Sequence, residues 1–187
     1  NIETLLSYQD DSFKVHVISE YKVDNDKVSS TRIKIALKNG NMDLVKQLLG
    51  RYYQLNGKVV GGKRIGRQIG YPTANLEVNP EYVLPKMGVY AGYVMIDELR
   101  YQSMISIGLN PTVKDDRIVS IEAHIFDFDK DIYEREVSFV YVQYLRPELK
   151  FNSLNGLIAQ LKDDEIECRR ILKDNNVNLI FEENNIE

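Results

Sequence analysis

Five runs of alternating apolar and polar residues follow one another in the second part of the chain. They occupy 55–62, 88–96, 101–108, 119–128 and 135–145. These runs are rich in Tyr, Val, Ile and Phe, which suit a half-buried pleated surface. The link at 97–100 is short enough to join two of them as a hairpin. Successive strands without helices between them favour an antiparallel barrel or sandwich over a doubly wound fold.

Helical spacing stands on either side of these runs. Residues 30–50 predict two short helices, each followed by a glycine, with N-cap side chains at Ser29, Ser30 and Thr31. Ser153 is the predicted N-cap of a final helix. Its apolar stripe comprises Leu154, Leu157, Ile158, Leu161, Cys168, Ile171 and Leu172. Near the start of the chain, the alternation at 13–21 predicts a further strand, and 24–27 predicts a turn.

Composition excludes several classes of protein. The chain has 187 residues and a net charge of −4, with both signs scattered, so a general nucleic-acid binder is disfavoured. Its one cysteine, Cys168, cannot form an internal disulfide, and no apolar run approaches the roughly 18 residues that span a bilayer. We therefore expect a cytoplasmic protein without nucleic-acid or membrane partners. Because the chain begins without Met or a signal peptide, we also expect part of a longer protein to be absent.

The densest functional signal is the glycine-rich segment 61–76, GGKRIGRQIGYPTANL. Gly61, Gly66 and Gly70 allow close approach of the backbone to a ligand, and cationic side chains stand between them. The segment is not a Walker A loop, because Arg67 and Gln68 stand where Lys and Ser or Thr are required. An anion-binding loop and a mobile surface loop are both open interpretations.

The residues after these glycines favour the anion-binding interpretation. Pro72 directs the chain into an extended course, in which Thr73 and Asn75 point to the same side. Their hydroxyl and amide oxygens are hard neutral ligands that suit Mg²⁺ already bridged by nucleotide phosphates. The alternative is that both side chains only cap a turn.

Two further segments carry candidate functional groups. In 120–129, Glu122 and His124 share the face opposite the apolar residues, so the carboxylate could hold a substrate hydroxyl or accept its proton. The alternative is a solvated glutamate, and His124 is interpreted as structural or supporting. In 144–151, Arg146 stands at a strand end before Pro147 and could contact a planar ligand or form a surface salt bridge.

These segments, in this order, resemble the riboflavin kinase family, specifically the C-terminal kinase module of bacterial bifunctional riboflavin kinase/FAD synthetases. The resemblance covers roughly 55–172, and its stretches are GRQIGYPTANL, LPKMGVYAGYV, SIGLNPTV, IEAHIFDFDKDIY and YLRPELKFNSLNGLIAQLKDD. It implies a six-stranded Greek-key barrel with a C-terminal helix. It also implies transfer of the ATP γ-phosphate to the 5′-hydroxyl of riboflavin, giving FMN, with Mg²⁺ as cofactor.

The resemblance also implies roles for individual residues. Thr73 and Asn75 correspond to the metal and phosphate positions, Glu122 to the catalytic carboxylate and Arg146 to the flavin side. The predicted phosphate-binding residues are Gly61, Gly66, Gly70, Pro72 and Thr73. One departure is Glu134, where the family usually has glycine, and it makes the turn and the flavin-side contacts uncertain.

The first part of the chain resembles the end of the family's FMN adenylyltransferase domain, in which Ser29, Ser30 and Thr31 correspond to a phosphate site at a helix start. Its catalytic HxGH motif is absent, since the only histidines are His16 and His124. We therefore expect a remnant of that domain over 1–54 and a riboflavin kinase domain over 55–187.

The function predicted from the sequence is a riboflavin kinase that acts on riboflavin and ATP as a monomer or weak oligomer. Two alternatives stay open. One is a noncatalytic nucleotide- or oligosaccharide-binding barrel, which would not need Glu122. The other is an adenylyltransferase remnant whose barrel serves as a scaffold, and residual FAD synthesis would support it.

Overall fold

A closed six-stranded antiparallel barrel forms the centre of the computed structural model, which describes residues 1–10, 12–62, 65–110 and 118–174. The helices are α1 Ile2–Ser7, α2 Ser30–Asn39, α3 Met42–Leu49, α4 Ile65–Gln68 and α5 Leu154–Asp174. The strands are β1 Lys22–Val23, β2 Asp26–Lys27, β3 Tyr53–Val60, β4 Ala74–Val78, β5 Gly88–Ile96, β6 Leu99–Asn110, β7 Ile118–Ile125 and β8 Glu136–Arg146. The barrel order is β3-β4-β7-β6-β5-β8, and β8 closes it by pairing with β3. The predicted barrel and C-terminal helix are confirmed.

The helical hairpin predicted at 30–50 is also confirmed. The Ser29 hydroxyl caps α2 by accepting the Arg32 N–H at 3.2 Å. Each helix ends at a glycine in the left-handed region, Gly40 with φ 73° and Gly50 with φ 69°. Helix α3 packs against β3 and β8. Apolar side chains of both helices therefore belong to the barrel core: Ala36, Leu37, Met42, Val45 and Leu48.

Helix α5 covers the outside of the barrel against β5, β6 and β8. The Ser153 hydroxyl accepts the Gly156 N–H at 3.1 Å, so the predicted N-cap is confirmed. Residues in its second half are fully buried: Cys168, Ile171 and Leu172. Leu154 is 56% exposed, so the buried part of the predicted apolar stripe does not include its first residue. Helical spacing marks a face, but the placement of the helix on the barrel decides how much of that face is covered.

Residues 13–21 form no strand, and that prediction is wrong. Phe13 is 45% exposed and Val17 is 53% exposed, so the alternating side chains are not packed on a core. A strand needs a neighbour for its backbone groups, and the short ribbon of β1 and β2 begins only at Lys22. Of the turn predicted at 24–27, only Asp24 and Asn25 lie between the strands, both with positive φ, and the other two residues form β2.

Strand ends also differ from the prediction, and one barrel strand was not predicted as such. Strand β7 ends at Ile125 rather than Phe128, because the chain turns at Asp127, where φ is 53°. Strand β4 lies in the segment predicted only as extended. Across the described ranges, no helix has both the length and the apolar character that crossing a bilayer requires.

Candidate active site

A cavity of about 540 Å³ opens beside β4 and the end of β7. Its first wall contains residues of the glycine-rich segment: Gly61, Gly62, Arg67, Pro72, Thr73 and Asn75. The facing wall is the loop after β7, from Phe128 to Tyr133. Of the predicted glycines, Gly61 therefore meets the Thr73 hydroxyl and the Asn75 amide at one concave surface, which is where ligands usually bind. Gly66 and Gly70 are not among the described residues of the lining.

Close backbone packing explains two of the glycines around this cavity. A Cβ atom on Gly62 would lie 2.2 Å from Nδ2 of Asn75, so a larger residue there would displace this amide. A Cβ atom on Gly66 would lie 2.1 Å from the Tyr71 carbonyl oxygen. The Tyr71 N–H donates to the Gly66 carbonyl at 2.8 Å and closes the loop that contains α4. This short helix was not predicted.

Thr73 lines the cavity and contacts Glu122, which is not itself among the described residues of the lining. The Thr73 hydroxyl donates to Oε2 of Glu122 at 3.0 Å, and Asn75 is the register partner of Glu122 across β4 and β7. Glu122 is half-buried, whereas its neighbours Ile121 and Ala123 are buried in the barrel core. The predicted alternation along this strand is confirmed, and it turns the carboxylate away from the core.

His124 lies on the same face of β7, two positions after Glu122. Its ring packs against Tyr71 and Phe126, with centroids 5.0 and 5.7 Å away. Its Nδ1 atom lies 2.8 Å from the carbonyl oxygen of Pro72. Burial and the nearby Glu165 carboxylate raise the pKa of Tyr71. His124 thus joins β7 to the segment that enters β4.

Arg146 lies at the end of β8, and it is not among the described residues that line the cavity. Its Nε atom donates to the two carboxylate oxygens of Asp164 on α5 at 2.9 and 3.0 Å. Gln160 donates to the same carboxylate at 2.9 Å. Asp164 is 5% exposed, so this is an ion pair largely shielded from water. The flavin role of Arg146 stays a prediction.

The predicted phosphate site at Ser29, Ser30 and Thr31 lies at the start of α2, outside the cavity lining. The Ser29 hydroxyl is engaged as the helix cap. Nearby, the Arg32 guanidinium donates to the carbonyl oxygens of Val23 at 2.8 Å and Asp26 at 3.0 Å. The phosphate role of this helix start stays a prediction as well.

Sequence reasoning missed the charged wall of the cavity. Asp129, Lys130 and Asp131 line it beside the neutral Tyr133, and none of them was assigned a role. The sequence signal was the run of charges between β7 and β8, in a loop rather than a strand. The Asp131 carboxylate accepts the Tyr133 N–H at 2.9 Å and shapes this loop.

The turn at Glu134, which the resemblance left uncertain, is described by the structure. Glu134 has φ 64°, in the left-handed region that favours glycine, and its N–H donates to the Val59 carbonyl at 2.9 Å. Its carboxylate forms an ion pair with Lys58 and raises the pKa of that lysine. The glutamate therefore occupies the turn without preventing it. Residues 111–113, which belong to another stretch of the resemblance, lie outside the described residues.

Comparison with known proteins agrees with this fold. A family model described as Flavokinase, riboflavin kinase, matches residues 49–172. A bifunctional riboflavin kinase/FMN adenylyltransferase of Listeria monocytogenes is 44% identical over 88% of this chain and 52% of its own length. The Bacillus subtilis protein of the same description is 35% identical over 82% of this chain and 49% of its own length. This chain spans about half the length of these relatives.

Solved structures show the same architecture. A Streptococcus pneumoniae structure described as a macrolide-efflux protein has a TM-score of 0.81 and 38% identity, over 90% of this chain and 54% of that one. A riboflavin kinase structure from Trypanosoma brucei shares the fold, with a TM-score of 0.50 and 24% identity over 64% of this chain and 76% of that one. The fold and the cavity define a small antiparallel barrel with a glycine-rich segment along one side of a cavity. By the extent of the family match, the chain belongs to the riboflavin kinase family.

Proposed function

We propose that this chain transfers the γ-phosphoryl group of ATP to the 5′-hydroxyl of riboflavin, producing FMN and ADP. Membership of the riboflavin kinase family supports the reaction class. The observation that carries the proposal is the hydrogen bond to Glu122 from the hydroxyl of Thr73, a residue that lines the cavity. It places a carboxylate next to the group predicted to face the nucleotide phosphates.

The glycine-rich wall supports the phosphate end of this proposal. Gly61 and Gly62 line the cavity, where their backbone can face a ligand. Arg67 adds positive charge, and Lys130 stands between the carboxylates of Asp129 and Asp131 on the other side. The triphosphate would lie along Gly61, Gly66, Gly70, Pro72 and Thr73. Such an arrangement acts by positioning and by stabilising the negative charge of the phosphates.

A magnesium ion fits the neutral oxygens of this wall. Within the described parts of the chain, no group of three His, Cys, Asp or Glu side chains could hold a metal by itself. The Thr73 hydroxyl and the Asn75 amide both line the cavity, and they would complete a shell supplied mainly by phosphates and water. When bound, Mg²⁺ would neutralise phosphate charge.

Glu122 is proposed to orient the 5′-hydroxyl and to accept its proton as the new oxygen–phosphorus bond forms. The bond between the γ-phosphorus and the bridging oxygen to the β-phosphate breaks, and ADP leaves with that oxygen. A carboxylate on a barrel strand suits this role because the strand fixes its direction. Arg146 is proposed to face the flavin side, beside α5.

The first part of the chain is proposed to be the end of an FMN adenylyltransferase domain over 1–54, preceding a kinase domain over 55–187. The relatives' description as bifunctional and their greater length support this division. Because the HxGH motif is absent from this sequence, we expect FMN rather than FAD as the product. We also propose a cytoplasmic monomer or weak oligomer without nucleic-acid partners, consistent with its scattered charges.

Incubation with riboflavin, ATP and Mg²⁺, followed by chromatographic separation of the flavins, tests the proposal. We expect FMN to form with the wild-type chain. Binding of both substrates without FMN would instead support a noncatalytic barrel. FAD formed from FMN and ATP would support the adenylyltransferase-remnant alternative and contradict the proposed division of activities.

A further inference from the structure

The ladder between β4 and β7 is very short at the point where the candidate active site begins. Only two register pairs are formed, Ala74 with Ala123 and Asn75 with Glu122. The next pair would bring Thr73 opposite His124. Pro72, directly before Thr73 in the chain, has no N–H to donate, so the backbone ladder cannot continue through it. The segment that carries Thr73 needs some other attachment to β7.

His124 provides such an attachment. Its Nδ1 atom lies 2.8 Å from the Pro72 carbonyl oxygen, one residue before Thr73. A carbonyl only accepts hydrogen bonds, so Nδ1 must carry the proton and donate. The contacts of the ring with Tyr71 and Phe126 limit its rotation and aim this nitrogen.

We propose that His124 is a positioning residue: by holding the Pro72 carbonyl, it sets the place of the Thr73 hydroxyl relative to Glu122. The effect of this contact on catalysis rests on the proposed function, whereas the contact between His124 and Pro72 is independent of it. Thr73 is bound to β7 from two directions, through its own hydroxyl to Glu122 and through Pro72 to His124. Loss of the second contact leaves Thr73 held to β7 only by its own hydroxyl and by the adjoining pair of Ala74 with Ala123. Displacement of a positioned group by about 1 Å can cost roughly 100-fold in rate.

Two substitutions separate the hydrogen bond from the ring packing. His124→Phe keeps an aromatic ring but removes the donor. His124→Asn removes the ring but keeps an N–H group near the place of Nδ1. We expect His124→Phe to lower kcat/KM for Mg-ATP roughly tenfold to 100-fold, with riboflavin affinity, read from flavin fluorescence quenching, within about twofold of wild type. His124→Asn should recover most of that loss.

The opposite order, with His124→Asn more impaired than His124→Phe, would show that ring packing alone matters and would overturn the proposal. Equal activity of His124→Phe and wild type would overturn it too. A wild-type chain that forms no FMN would instead refute the proposed function. The failure of the proposed function can therefore be distinguished from the failure of the His124 proposal.

A measurement on the wild-type protein tests the contact without catalysis. Long-range ¹⁵N–¹H NMR spectra distinguish neutral histidine with the proton on Nδ1 from the form with the proton on Nε2. We expect the Nδ1-protonated form for His124, assigned by its loss in His124→Asn, with the exposed His16 as an internal reference. The Nε2-protonated form for neutral His124 would overturn the proposed contact.

Discussion

The Thr73 hydroxyl donates to the Glu122 carboxylate at 3.0 Å although 49 positions separate the two residues in the sequence. A hydroxyl has one proton to donate and two lone pairs to offer. With its proton directed at Glu122, Thr73 keeps lone pairs for a cation or a phosphate-bound water. The Thr73 side chain can therefore link the predicted metal position to the predicted base. Because the two roles belong to different side chains, substitutions at Thr73 and Glu122 can test them separately.

Glu122→Gln should fold normally and bind both substrates, but lose roughly 10²- to 10⁴-fold in turnover, because it keeps the shape and removes the proton acceptor. FMN formation under saturating substrates measures the effect. Glu77→Gln is a matched control, since Glu77 is an exposed strand glutamate whose register partner is Lys58 rather than a residue of the cavity lining. Near-normal turnover of Glu122→Gln, or greater impairment of His124→Asn, would show that the base lies elsewhere.

Thr73→Ala and Asn75→Ala should weaken use of Mg-ATP more than binding of riboflavin, because both residues line the cavity and are predicted to face the metal and the phosphates. Titration of Mg²⁺ at fixed ATP should show a higher requirement for the metal. Thr73→Ser keeps the hydroxyl and is expected to remain close to wild type. An equal loss of riboflavin affinity in metal-free buffer would point to a folding defect and leave the metal assignment unsupported.

Arg146→Met should destabilise the fold by about 3 kcal/mol, since it leaves the Asp164 carboxylate buried without its partner. Urea unfolding measures this, and Asp164→Leu combined with Arg146→Met should restore part of the loss. Riboflavin binding tests the flavin assignment separately. If Arg146 contacts the flavin, Arg146→Met should reduce affinity well beyond Asp164→Asn, whereas equal reductions would assign Arg146 to the ion pair alone.

Glu134→Gly should leave the free energy of unfolding unchanged or raise it by at most about 1 kcal/mol, because glycine accepts φ 64° without the steric cost of a side chain. The lost ion pair with Lys58 is exposed and contributes little. Gly70→Ala gives the contrasting case, since Gly70 has φ 83° and an added Cβ there is strained. Marked destabilisation by Glu134→Gly in urea unfolding would show that the ion pair dominates this turn.

Cys168 should resist alkylation at pH 8 in the folded protein and react after unfolding in urea. Burial raises the pKa of its thiol above the ordinary value of 9.0, and the carboxylates of Asp164 and Glu167 raise it further. Below pH 9.0 the thiol is neutral in both the folded and the unfolded protein, so it does not change the free energy of unfolding. Above pH 9.0 the thiol of the unfolded protein ionises first, and the free energy of unfolding falls. Rapid modification of native protein would contradict the buried placement.

The sequence by itself determined the features that depend on near neighbours. Period-two alternation located most of the strands, and glycines after 39 and 49 ended the hairpin helices in the left-handed conformation. Residues two apart in an extended chain face the same way, so the sequence alone was enough to put Thr73 and Asn75 on one side. Residue identity and spacing are sufficient in these cases because the interactions that decide them are local.

Tertiary structure decided which distant groups meet. Sequence placed Glu122 and His124 on one strand face, but only the pairing of β4 with β7 gave them Thr73 and Pro72 as partners. Likewise, only the docking of α5 gave Arg146 a buried carboxylate partner. The alternation at 13–21 carried the same local signal as the true strands, but a strand also needs the backbone of a neighbour, and in the described structure these residues belong to no sheet. Local pattern marks which face a residue presents, whereas long-range packing decides what that face contacts.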